Sequence, residues 1–195
     1  RPRKSQGERS VYSEPRSNVL VLAFGGEFCA QQTTVTTDVM GEDGVNNGHS
    51  STKPNEPYND LTGNPNYSRC MNGTSAATPE AAGAVALLLD ANPNLGWRDV
   101  RAILARTARK NDPENADWVA NGAGLRVNHE YGFGAIDATA AVNAARTWTN
   151  LPAQKTATAD GAGGAAIPDG GAALARTLTL QGSGIARIEF VELVV

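Results

Sequence analysis

The chain has 195 residues, 41% of them hydrophobic, with a formal net charge of −3 and two cysteines. A slightly acidic balance without a basic stripe excludes a nucleic-acid-binding reading, and no apolar run reaches the roughly 18 residues that a membrane span needs. Size and hydrophobic content suffice for one ordinary domain, or one domain and part of another.

Residues 1–18 are polar and rich in Arg, Ser and Pro. The apolar run Asn18–Gly26 ends in Gly-Gly and predicts a buried strand followed by a turn. The β-branched stretch Gln31–Val39 predicts a second strand. Met40 to Tyr67, full of Gly, Asn, Asp, Ser and Pro, reads as a long loop of the kind that often carries function.

Next comes "NGTSAATPEAAGAVALLLDANP", Asn72 to Pro93. It predicts a helix from about Thr78 to Ala91, with Pro79 in the first turn, where a missing N–H costs nothing. Ala81 to Leu89 offers almost no polar face, which predicts burial nearly all round. Asn92–Ala108 turns at Asn-Pro and starts a second helix near Trp97, with Val100, Ile103, Leu104 and Thr107 on one face and Arg98, Arg101 and Ala105 elsewhere. Tyr131–Trp148 gives a Gly-rich turn and a third helix from about Ala138. Beyond Trp148 the composition shifts to Ala, Gly, Pro and Thr, a linker. Alternation of Ile185, Arg187, Glu189 and Val191 against Ala186, Ile188 and Phe190 then predicts two strands opening a second, all-β unit. The chain starts at Arg1 and stops in the strand-like run "FVELVV", so it reads as a piece of a longer protein, with no signal peptide in view.

Gly73-Thr74-Ser75 ahead of an apolar helix admits two readings. Thr74 or Ser75 is an N-cap, with Glu80 helping to satisfy early N–H groups. Alternatively Ser75 is a nucleophile. A serine hydroxyl needs a base to remove its proton and donors for the oxyanion on the attacked carbonyl. The first turn of a helix supplies free N–H groups and a partial positive potential. Gly73 permits a tight turn and close substrate approach, and Ala76 and Ala77 leave room beside the hydroxyl. Nucleophile, space and electrostatics are present together; a base is not.

Gly73-Thr74-Ser75-Ala76-Ala77-Thr78-Pro79 is a full match to Gly-Thr-Ser-x-Ala-x-Pro. It resembles the serine-nucleophile segment of the subtilisin-like serine proteases. The following "NPNLGWRDVR", and Asn111 to Trp148, resemble the kexin and furin branch, in which a β-sandwich P domain follows the catalytic domain. The resemblance implies an α/β fold: a subtilisin-like parallel sheet with flanking helices, only partly present, with the nucleophile helix buried at its centre. Residues 1–148 then form the C-terminal part of a peptidase domain. Residues 149–195 form a linker and the truncated start of an all-β P domain. The implied function is serine endopeptidase chemistry through a Ser75 acyl-enzyme, cutting after basic residues, with Gly73 and Thr74 beside the oxyanion site and the Ser75 N–H as one donor.

The family orders its triad Asp, His, Ser along the chain, so the catalytic Asp and His, and the oxyanion Asn, are expected upstream. His49 sits in a Gly/Asn/Ser loop without His-Gly-Thr context, and His129 lies after Ser75 in "NHEYGFG", a structural position by the resemblance. Neither reads as the base, and the chain alone is expected to be inactive. One alternative is a degenerate, non-catalytic relative acting as a protein-binding module. Another is an esterase, but the Gly-x-Ser-x-Gly elbow is not met, since position 77 is Ala.

"GERSVYSEPRSN" resembles the family segment whose Tyr-Ser-Glu helps to bind calcium beneath the S1 pocket, and Glu14 matches that glutamate. A hard oxygen ligand suits calcium; the alternative is a solvated surface Glu. Two departures stand out: Phe24 replaces the proline of Ala-Pro-Gly-Gly, and Pro15-Arg16 stands where furin-type enzymes carry a cysteine. Cys29 and Cys70 fit an exported enzyme, in which a bridge staples the Met40–Tyr67 loop and contributes about 3–4 kcal/mol; in the cytosol both stay reduced. The implied partners are protein or peptide substrates, and the implied location is extracellular or cell-envelope.

Overall fold

Residues 2–3, 7–15, 18–26, 34–46 and 64–156 are described by the computed structural model. His49, Cys29 and the two strands expected between 174 and 195 lie outside the described residues, as does most of the expected P-domain start. The chain divides into two units, Arg1–Leu151 and Pro152–Val195, and the first carries everything below.

The apolar run predicted as one strand contributes a short ladder. Strand β1 (Pro2–Arg3) pairs in parallel with β2 (Ala23–Phe24), Pro2 opposite Ala23 and Arg3 opposite Phe24. On the other side, Leu22 bridges in parallel to Ala135: the Leu22 N–H donates to the Gly134 carbonyl and the Ile136 N–H to the Leu22 carbonyl, both at 2.9 Å. Ala135 in turn exchanges both backbone bonds with Arg109. Leu22 and Ala23 are buried while Phe24 is 40% exposed. Parallel pairing among the described residues is confined to this patch. Strands β3 (Thr34–Thr37) and β4 (Tyr67–Met71) pair antiparallel, with a register irregularity between Thr34 and Thr36. After the helices described next, β5 (Val119–Ala120) and β6 (Arg126–Val127) form another antiparallel pair.

Helix α1 spans Thr74–Ala91, so it begins four residues before the predicted start and corrects the reading of Pro79. That residue lies in the second turn, where it can donate no N–H to the Ser75 carbonyl four residues back. Within this chain alone the helix is not covered all round. Ala76, Ala77, Ala84 and Leu88 are buried, whereas Leu87 is 54% and Leu89 39% exposed. An Ala/Gly/Leu sequence carries no polar residues to mark a solvent face, so uniform apolarity says that a helix tolerates cover, not that cover is present.

Helix α2 (Trp97–Thr107) behaves as its pattern predicts. Val100, Ile103 and Leu104 are buried, and the Thr107 hydroxyl turns back to the Ile103 carbonyl at 2.8 Å. Helix α3 (Ala138–Arg146) starts at Asp137, whose side chain accepts the Ala140 N–H, a true side-chain cap. Leu88 of α1, Leu95, the α2 trio and Ala141 and Ala145 of α3 form one core. Each fully buried aliphatic side chain there, such as Leu88 or Ile103, contributes about 1.5–3 kcal/mol.

Asp99 is a buried hub that closes this unit. Its carboxylate accepts the Gly96 N–H at 2.8 Å, the Trp148 indole N–H at 2.9 Å and the Leu151 N–H at 2.7 Å. Burial alone pushes this carboxyl up, but the bonds from Leu151, Trp148 and Gly96, with Arg98 nearby, outweigh it and hold Asp99 below the usual carboxylate range.

Candidate active site

Strand β4 delivers the chain to Asn72 and Gly73. Gly73 has φ of +89° and ψ of −175° and is the N-cap of α1, with no side-chain cap bond. Thr74 and Ser75 are the first two helical residues, so neither is the cap; that reading is corrected. The Gly73 carbonyl accepts the N–H groups of Ala76 at 3.1 Å and Ala77 at 3.2 Å. The N–H groups of Thr74 and Ser75 meet no acceptor among the described residues, as the first turn of a helix dictates. Ser75 is exposed, and its hydroxyl has no hydrogen-bond partner among the described residues. One residue thus presents a free hydroxyl and a free N–H at the positive end of an 18-residue helix. Buried Ala76 and Ala77 seat the turn on the body of the protein.

Glu80 does not reach back to the early N–H groups. Its carboxylate accepts the Phe24 N–H at 2.9 Å and the Thr34 hydroxyl at 3.2 Å, so it ties α1 to β2 and β3.

The Tyr-Ser-Glu segment arrives at the same turn, through its tyrosine. The Tyr12 hydroxyl lies 2.7 Å from the Gly25 carbonyl and 2.6 Å from that of Gly26, and it accepts the Gly73 N–H at 3.1 Å. The sequence singled out Glu14 there and passed over Tyr12. The only signal was an aromatic residue with a polar tip inside a quoted motif, and nothing local says that its partner is 61 residues away.

Glu14 itself is exposed. Calcium takes roughly 6–8 oxygen ligands, and among the described residues no three His, Cys, Asp or Glu side chains come together as a metal site. His129 is exposed in the turn closed by the paired Asn128 and Gly132 backbones. A Cys29–Cys70 bridge cannot be described, because Cys29 lies outside the described residues.

The subtilase family (Peptidase S8) profile matches residues 4–134, which takes in Tyr12, Gly73 and Ser75. The chain belongs to the subtilase family. A PC3-like endoprotease of Hydra vulgaris is 42% identical over 156 residues, 78% of this chain and 19% of that protein. The human proprotein convertase subtilisin/kexin type 7 is 35% identical over 149 residues, 75% of this chain and 16% of that protein. With these relatives, the subtilase is of the kexin/furin type. The crystal structure of the serine protease of Aeromonas sobria superposes with a TM-score of 0.69 at 34% identity, over 77% of this chain and 29% of that one. That likeness supports the α/β subtilisin fold. This subtilase chain spans less than a fifth of the length of these curated relatives. No described helix is long and apolar enough to cross a membrane.

Proposed function

We propose that the full-length protein is a serine endopeptidase whose nucleophile is Ser75. The observation that carries this reading is the exposed Ser75 hydroxyl beside its own unpaired N–H at the start of α1. The Ser75 Oγ attacks the scissile carbonyl while a base takes its proton. The oxygen of the tetrahedral intermediate accepts the Ser75 N–H, and the helix N-terminus favours its negative charge. The proton passes to the departing amine, an acyl-Ser75 remains, and water releases it. No His-Gly-Thr, Asp-Ser-Gly or Asp-Thr-Gly occurs in these 195 residues, so the base and its orienting carboxylate come from elsewhere in the protein.

The finer reading follows the kexin/furin branch. Cleavage falls after basic residues. Glu14 gives one carboxylate to a calcium shell completed from outside the described residues. A Cys29–Cys70 bridge accompanies secretion or exposure on the cell envelope, and residues 149–195 lead into a P domain. Labelling the full-length protein with a fluorophosphonate tests the core of the proposal. Ser75→Ala is expected to abolish labelling and to lower kcat/KM by at least about 10⁴-fold; undiminished labelling of that variant sinks it. A peptide panel with and without basic residues before the cut tests the specificity.

A further inference from the structure

The Gly73 turn has an unusual anchorage. Gly73 has no side chain, and α1 has no side-chain cap. The position of the turn that carries Ser75 therefore depends on how the Gly73 N–H is held. It is shared between the Gly25 carbonyl at 2.7 Å and the Tyr12 hydroxyl at 3.1 Å. The same hydroxyl has one proton to give to the Gly25 or Gly26 carbonyl. One oxygen atom thus joins the Gly25-Gly26 turn that follows β2 to the helix cap at Gly73.

Tyr12 is itself braced. The Ser13 N–H closes a turn onto the Ser10 carbonyl at 2.9 Å. The buried Ser10 hydroxyl donates to the Gly26 carbonyl at 2.7 Å. Arg9 donates to the Ser13 carbonyl at 2.8 Å and pairs with Glu130 at 3.4 Å. A prop held this firmly transmits its position to what it touches. Gly73 N–H already has the shorter bond to Gly25, so the tyrosine is not needed merely to satisfy a donor.

We propose that Tyr12 is a positioning residue: its hydroxyl sets the Gly73 turn so that the Ser75 hydroxyl and N–H meet the scissile carbonyl in register. This rests on the reading of Ser75 as nucleophile. Catalysis tolerates little error here, since a displacement of about 1 Å can cost on the order of 10²-fold in rate, whereas a structural prop without this role affects stability alone.

The test uses the full-length protein, Tyr12→Phe, and a variant carrying 4-aminophenylalanine at position 12, which keeps a hydrogen-bonding group on the ring. Tyr12→Phe is expected to lower kcat about tenfold with KM unchanged, and to slow fluorophosphonate labelling of Ser75 by a similar factor. The amino variant is expected to recover most of both. If the parent is labelled at Ser75 and Tyr12→Phe keeps the parental kcat and labelling rate, the Tyr12 assignment alone falls. If Tyr12→Phe does not fold, the amino variant decides: near-parental kcat supports the assignment, and a folded amino variant as slow as a Ser75 mutant overturns it. If the parent is not labelled at Ser75, the nucleophile reading has failed and the assignment goes with it.

Discussion

At Gly73 the backbone takes φ of +89° with ψ near 180°, a region essentially reserved for glycine. A Cβ there meets no close neighbour, so the constraint is torsional rather than steric. Gly73→Ala is therefore expected to cost about 1–3 kcal/mol if the turn is kept, or to rotate the turn and misplace Ser75. Unfolding midpoint and labelling rate in the full-length protein separate the two outcomes, and a variant unchanged in both refutes the constraint. The Gly-Thr-Ser motif was legible from residues 73–79 because an entire heptapeptide matched. The helix start was not: Pro79 suggested a first turn at 78, and only the glycine's torsions put the cap at 73. Tyr12 was passed over and Glu80 was given the wrong role because their partners lie 61 and 56 residues away.

Among the elements, α2 was the most readable, since Val100, Ile103 and Leu104 recur at helical spacing between arginines. Helix α1 was the least, since its composition cannot separate a covered face from an open one. What holds α2 in place was invisible in sequence: Asp99 looks like an ordinary first-turn acid until Trp148 and Leu151 are brought to it. Asp99→Ala leaves the Gly96, Trp148 and Leu151 donors unpaired and is expected to cost about 2–4 kcal/mol, measured as a drop in the denaturant midpoint of the full-length protein. The pH dependence has a definite sign. Folding lowers the Asp99 pKa, so its contribution is fully present above the ordinary carboxylate value of about 3.9 and is lost as pH falls through the lower folded value. Asp99→Asn is expected to flatten that part of the stability profile below about pH 4; a profile identical to the parent's contradicts the assignment.

For the whole molecule, the governing feature is the joining of distant chain segments. Asn111 donates from its side chain to the Gly7 carbonyl, Arg9 meets Glu130, and the Phe133 N–H donates to the Leu20 carbonyl. Gly134, at φ of +122°, lies so close to Arg109 that a Cβ would overlap the Arg109 carbonyl. Gly134→Ala is expected to cost more than about 3 kcal/mol, read as loss of soluble, labelled full-length protein; parental yield and midpoint refute it. The Gly-rich turn at Gly134 was legible but its neighbours were not, because main-chain hydrogen bonds leave no trace in side-chain pattern and Asn111 and Arg9 find their partners more than 100 residues away.

The joining of residues 7–24 to residues 109–136 also sets a timetable. Gly7 and Asn111 are 104 residues apart, and at roughly 5–20 residues per second of synthesis the early segment emerges about 5–20 s before its partners. Through that interval "VLVLAF" can pair only with Pro2–Arg3, because Gly134 and Ile136 on its other side have not been made, and α1 and α2 still lack α3, on which both pack. The Tyr12 prop needs nothing later than Gly73, so it can form early, and the Arg9–Glu130 pair that secures it closes only once the far segment has been made.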